Sequence, residues 1–281
     1  MRVIDLMHVD VPRVIGCWQV GDVLIDPGPS TGLPALLEAL GEDYRPRALL
    51  LTHIHLDHAG ASGSLVRRWP EVEVYVHERG APHMIDPERL LESATRLYGD
   101  DMGRLWGEFV AVPESQLRVL RGGETLSFGA ERFEVAYTPG HASHHVSYLH
   151  EGTAFVGDVG GVRITPGSPA IPPTPPPDID LERWHESIAL VRGWRPERLA
   201  MTHFGAEENV SEHLDELERR LEAWAALARD SERDSFMAAV RAEIAGLTER
   251  ETAIAYEQAA PADQLHAGLE RYWRKRSPPL S

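Results

Sequence analysis

The sequence predicts an α/β fold with a helical appendage, on three observations. Short strand-like runs alternate with turns and brief helical patterns through the first two-thirds of the chain. A run carrying seven prolines, PGSPAIPPTPPP at residues 166–177, interrupts that rhythm. From about Asn209 onward the pattern is helical only.

Taken in order, VIGCWQV and DVLIDPG form a hairpin with Gly21-Asp22 at the turn. LPALLEALG has helical spacing and stops on Gly41. RALLLT, VEVYVH, LRVL, ETLSF, RFEVAYT, HVSYLH and TAFVGD read as strands. Residues 86–110 carry one or two helices, part of an insertion spanning about 80–112. The proline-rich stretch 166–177 cannot be a central strand or a helix, and is expected as a stiff, extended loop. A helix over Leu181–Arg192 and the strand ERLAMT follow. SEHLDELERRLEAWAALARD spaces its apolar residues by three and four, and two or three more helices run on to RYWRKR. The expected division is a domain over residues 1–207 and a helical extension over 208–281, which is short for a domain.

Composition narrows the function. The 281 residues, 42% hydrophobic, suffice for a sizeable core. A formal charge of −16 argues against a nucleic-acid partner, which needs a basic footprint, and against docking on anionic lipid. Lys275 is the single lysine, so the positive charge is nearly all arginine. Cys17 is the single cysteine, which rules out an intramolecular disulfide and fits a reducing compartment. The N-terminal MRVIDLMHVDVPRV lacks the apolar core of a signal peptide, and no apolar run approaches the ~20 residues of a membrane span. The expectation is a soluble, cytoplasmic protein acting on a small molecule, its helical tail offering a surface for a homodimer.

The chemistry is concentrated in LLLTHIHLDHAGASG, residues 49–63, where three histidines and an aspartate follow a short apolar run. In an extended segment residues two apart point the same way, so His53 and His55 can converge on one point. Asp57 and His58 follow where the chain turns and can face a second. Imidazole and carboxylate are common ligands of first-row metals, and a rigid strand end holds them in place. Three later segments, TPGH, FVGD and MTHF, each close a strand with one more potential ligand: His141, Asp158 and His203.

These motifs, IDPG, THIHLDH, TPGH, GD and TH in that order, resemble the metallo-β-lactamase-fold superfamily, in particular its dinuclear glyoxalase-II-like hydrolases. The resemblance covers roughly residues 10–205. It implies a four-layer αββα sandwich with two divalent metals. His53, His55 and His141 would hold the first; Asp57, His58 and His203 the second; Asp158 would bridge them. Asp26 of IDPG would buttress the site, and His145 matches the last histidine of the family's GHTxGH in the segment GHASHH. The implied activity is attack by a metal-bridging hydroxide on a small carboxylic ester, thioester or lactone, with Asp57 orienting the hydroxide and relaying its proton. Nitrogen and oxygen ligands without thiolate permit zinc, the default, as well as iron or manganese.

Within the family, β-lactamases lack the bridging aspartate that Asp158 supplies, and nucleases use a basic groove. Glyoxalase II grips glutathione through basic residues, and lysine is absent here before Lys275. Lactonases use a helical lid, a part that the 80–112 insertion and the proline-rich loop could play, with Met84, Trp106 and Phe109 as an apolar wall or as ordinary core. Arg163 could clamp a substrate carboxylate or be solvated surface. The alternative is an iron-dependent oxidoreductase of the persulfide dioxygenase or flavodiiron kind.

Overall fold

Strand pairing divides the chain into two six-stranded sheets. The structure is a computed structural model and describes residues 1–276. The first sheet runs in chain order through β1 (Arg2–Asp5), β2 (Gly16–Val20), β3 (Val23–Ile25), β4 (Ala48–Leu50), β5 (Glu73–His77) and β6 (Leu117–Leu120). β3 to β6 are parallel, and β1–β2 and β2–β3 antiparallel. The second sheet comprises β7 (Thr125–Phe128), β8 (Glu131–Tyr137), β9 (Val146–His150), β10 (Thr153–Phe155), β11 (Arg198–Met201) and β12 (Gly205–Glu207), also in chain order across the sheet. Here only β10–β11 is parallel.

The side-chain alternation explains the layering. Val23, Ile25, Ala48 and Leu50 point into an apolar cluster shared with Phe133, Val135, Tyr148 and Phe155 of the second sheet. Their neighbours Leu24, Leu49 and Leu51 point the other way, into a cluster with Leu36 and Leu65. Strands buried on both faces read as unbroken apolar runs, which is what RALLLT shows. The outer layers include α1 (Leu33–Leu40), α2 (Leu56–Ala59), α3 (Ser62–Arg68) and α7 (Leu181–Gly193), whose Asp180 cap accepts the Arg183 N–H at 3.1 Å. The αββα sandwich expected from the sequence is the fold observed.

The insertion folds as α4 (Ala81–Ile85), α5 (Glu88–Tyr98) and α6 (Met102–Leu105). No side chain of α5 is fully buried; Leu90, Leu91, Ala94 and Tyr98 lean on the core. The C-terminal helices are α8 (Val210–Asp230), α9 (Arg233–Leu247), α10 (Arg250–Ala259) and α11 (Ala262–Arg276). Leu217, Trp224, Tyr256 and Leu269 join the same apolar cluster as Leu199 and Trp184, so these helices continue the main core. They also fix the proline-rich loop. Thr174 donates to the Leu265 carbonyl at 3.0 Å, Tyr256 to the Pro169 carbonyl at 2.5 Å, and Arg271 to the Pro177 carbonyl at 3.1 Å. A Cβ at Gly268 would stand 1.9 Å from the Thr174 oxygen, so only glycine allows α11 this close.

β1 and β12 have no counterpart among the expected strands. β1 is a half-exposed edge strand with little alternation to read, and β12 has three residues.

Candidate metal centre

The ends of β4, β10 and β11 and the β8–β9 turn meet at one rim of the sandwich. His53 and His55 follow β4, and the short helix α2 carries Asp57 and His58. His141 lies in the turn after β8, Asp158 just past β10 and His203 just past β11. The seven side chains gather as two groups, His53, His55, His141 and Asp158 in one, Asp57, His58 and His203 in the other, with ligand atoms within 4.8 Å of one another in each.

Asp158 faces both groups. Its Oδ2 lies 3.2 Å from His141 Nε2, and its Oδ1 lies 3.2 Å from His58 Nε2 and 3.5 Å from His203 Nε2. Asp57 Oδ2 is 3.3 Å from His203 Nε2. The Nδ1 of His55 is 3.0 Å from the Nε2 atoms of both His53 and His141. Three imidazole nitrogens do not crowd together for one another's sake. His58 Nε2, His203 Nε2 and Asp158 Oδ1 are moreover buried without a hydrogen-bond partner. Such orphaned atoms are costly unless something else satisfies them, and a pair of divalent cations fits this donor set.

The opposite ring edges are anchored, which fixes tautomer and orientation. His53 Nδ1–H donates to Thr52 Oγ1 at 3.1 Å, His141 Nδ1–H to the Pro173 carbonyl at 2.9 Å, and His203 Nδ1–H to the Val14 carbonyl at 2.5 Å. His58 Nδ1–H donates to Asp26 Oδ2 at 2.8 Å. Asp26 also accepts the Thr52 backbone N–H and the hydroxyls of Thr52 and Thr202. His145 lies behind His53, ring centroids 5.2 Å apart, and is tied through Nδ1 to Thr138 at 2.9 Å. Gly157, just before Asp158, has φ +44, and a Cβ there would strike Thr52 Oγ1 at 2.5 Å.

Electrostatics differ between the groups. Burial, reinforced by the neighbouring His58 and His55, holds His53 well below its ordinary value; burial and His141 push His55 down to about 4. Both are therefore neutral at pH 7, the form in which imidazole can ligate a metal. Burial also opposes charge on His58 and His203, but Asp158, with Asp26 and Asp57 at His58 and with Asp57 at His203, outweighs it and raises both. Asp158 and Asp57, against their own burial, are held below the usual carboxylate range by His58 and its neighbours. A cation held at the second group would displace protons.

Over the centre lies a cavity of about 910 Å³ with His55, Asp57, Asp158 and His203 on its floor. One wall is α5 and α6, with Tyr98 and Trp106; the other is Pro173, Pro175–Pro177 and the α10–α11 junction. Insertion and C-terminal helices thus both cover the site. Trp106 joins both roles weighed for it, buried in the core cluster yet lining the cavity, and stacks 5.1 Å from His8. Met84, Phe109 and Arg163, each weighed as a substrate contact or as core or surface, do not line the cavity. Met84 is wholly buried in the core beneath the insertion, and Phe109 packs against that core without lining the cavity. Arg163 points away, its guanidinium held by Glu216 at 2.5 Å and Glu207 at 3.3 Å, and it fastens α8 to the sheet.

Sequence reasoning missed Thr52 and Thr202, although each precedes a candidate ligand histidine in a TH pair that could have pointed to them. It missed His144, on the cavity wall, although GHASHH contains it. His8 gave no signal. It sits in a loop where Met7, Val9, Asp10 and Arg13 have positive φ, and its Nδ1 is buried without a partner.

A family model for the metallo-beta-lactamase superfamily matches residues 21–203. The chain belongs to this superfamily. One relative, the metallo-beta-lactamase fold-containing protein ST1585 of Sulfurisphaera tokodaii, is 28% identical over 220 residues, 74% of this chain and 80% of that protein. Its solved structure superposes with a TM-score of 0.64 at 27% identity, covering 76% of this chain and 84% of the other. A hydroxyacylglutathione hydrolase of Yersinia enterocolitica is 29% identical over 162 residues, 54% of this chain. This metallo-beta-lactamase superfamily chain spans about half of that relative's length (51%). TTHA1623, solved in a di-iron-bound form, gives a TM-score of 0.52 at 27% identity over 72% of this chain and 93% of its own. No helix among the described residues is long and apolar enough to cross a membrane.

Proposed function

We propose that the chain is a dinuclear metal-dependent hydrolase of a small carboxylic ester, thioester or lactone. The observation that carries this reading is Asp158, whose two oxygens address separate groups of ligands, as a carboxylate shared by two cations must. His53, His55 and His141 would hold one cation, Asp57, His58 and His203 the other, and Asp158 both. When bound, such a pair (zinc by default) supplies hydroxide at neutral pH and Lewis-acid polarisation of an acyl oxygen.

The chain's own residues do the rest. Asp57, ionised and bordering the cavity, is placed to accept and pass on the proton of the attacking water. The walls of α5, α6 and the proline-rich loop shield the reacting centre from bulk water. Arg79, Arg89 and Arg96 line the cavity in a protein of charge −16, and none has an acidic partner among the described residues. They support a substrate that carries a negative group.

Metal analysis coupled to a panel of lactones, thioesters, carboxylic esters, phosphodiesters and β-lactams tests the proposal. We expect two metals per chain and turnover of an acyl substrate, anionic members ahead of neutral ones. Iron in both positions with no hydrolysis would favour the rival iron oxidoreductase, a reading that the di-iron-bound TTHA1623 keeps in view.

A further inference from the structure

We propose that His144 is a substrate-contacting residue, donating a hydrogen bond from Nε2–H to the acyl oxygen of the bound substrate. The inference rests on the hydrolase reading above.

His144 belongs to neither ligand group. It stands three residues beyond His141, is 9% exposed, and lines the cavity beside the first group. Its ring lies nearly parallel to that of His53, centroids 6.1 Å apart at 13°, and edge-on to His55 at 5.7 Å. The Ile54 N–H donates to Nδ1 at 3.4 Å. A neutral imidazole that accepts at Nδ1 carries its proton on Nε2. Nε2 has no hydrogen-bond partner among the described residues, so its N–H is unspent. In the pattern GHTxGH the corresponding position is glycine, which offers no side-chain donor.

The loop is held rigidly. The Ser143 hydroxyl and backbone N–H donate to Asp178 at 2.5 and 3.3 Å, and Tyr137 donates to the Ser143 carbonyl at 2.9 Å. A donor fixed in advance costs no reorganisation when charge develops. In ester hydrolysis the water oxygen adds to the acyl carbon and the π pair moves onto the acyl oxygen. That pair returns as the bond to the alkoxide or thiolate breaks, and the water proton ends on the leaving group. The acyl oxygen is most negative between those two events, which is when a hydrogen bond from Nε2–H is strongest.

Two substitutions separate the donor from the ring. His144→Phe keeps a stacked ring and loses the N–H; His144→Gln keeps an N–H donor. With the best substrate of the panel, we expect kcat of His144→Phe to fall by about 10²–10³ with metal content unchanged, the size of effect of losing one such donor. KM should move little, and His144→Gln should recover at least about tenfold, roughly 1.4 kcal/mol. Should His144→Phe not fold, His144→Leu carries the same comparison. Independently of turnover, ¹⁵N-resolved NMR should assign His144 as the Nε2–H form and show that resonance shift on adding the product carboxylate. An unchanged kcat in His144→Phe, loss of metal from it, or an Nδ1–H form overturns the inference and leaves the hydrolase reading standing. If the unsubstituted protein hydrolyses nothing in the panel, the hydrolase reading fails and the inference with it.

Discussion

Asp26 Oδ2 lies 2.8 Å from His58 Nδ1, and the same oxygen accepts the hydroxyls of Thr52 from the first sheet and Thr202 from the second. One buried carboxylate thus aligns the approaches to His53, His58 and His203 together. Asp26→Asn puts an amide where several donors already point. We expect the second metal to bind about 10–100-fold more weakly, the usual effect of removing such a support. Metal stoichiometry under competition with a chelator measures this, and two firmly held metals in the variant would contradict it.

Asp158 and Arg163, five residues apart, should separate cleanly. Asp158→Asn should lose metal and activity together. Arg163→Met should keep both, yet lower stability by roughly 1–3 kcal/mol, because Glu207 is left nearly buried without its cation, whereas Glu216 keeps Arg220 at 3.0 Å. Denaturant titration and metal content of the two proteins make the comparison. A raised KM without loss of stability in Arg163→Met would return the arginine to the substrate.

Trp106 links the insertion to the N-terminal loop through His8 and packs edge-on against Tyr98 at 5.0 Å. Tyr98 in turn donates to Gln264 of α11 at 3.3 Å. Trp106→Ala should loosen the wall before it unfolds the protein, since α5 has little else to bury. Limited proteolysis should cut faster within residues 86–110, and KM should rise. Equal cleavage rates with and without the substitution would show that the wall is held by other contacts.

His213 on α8 is wholly buried, with Nε2–H donating to the Gly160 carbonyl at 2.7 Å; burial pushes it down to about 4 despite that bond. The unfolded chain therefore binds a proton between pH 6.5 and about 4 that the folded chain does not. Stability should fall as the pH drops through this window, by up to about 3 kcal/mol from this residue alone. His213→Gln should flatten the slope of unfolding free energy against pH between 4 and 6.5 relative to the unsubstituted protein. An unchanged slope would mean the burial penalty lies with other histidines.

Much of the candidate centre was legible in the sequence because its candidate ligands are local punctuation. His53, Asp158 and His203 come two or three residues after a short apolar strand, where polar residues stand out, and His141 ends the TPGH turn after β8. What the strands are packed against was not legible. Val23 and Leu24 look alike as letters, yet they face different layers. Met84 and Trp106 are both large and apolar in the same insertion; packing alone puts one under it and the other on the cavity. His8 reaches the site through a loop of positive φ, a conformation its residue types do not advertise. The ion pairs of Arg163 were not legible because its carboxylate partners lie about 44 and 53 positions away, beyond any local pattern.

Four of the seven candidate ligands hang from the first sheet and three from the second. Neither half could grip a cation pair unaided, so on the proposed reading loading would be an inspection of finished assembly. A nascent chain that has built only its N-terminal half carries an incomplete claw, and reactivity arrives only when the second half closes against it.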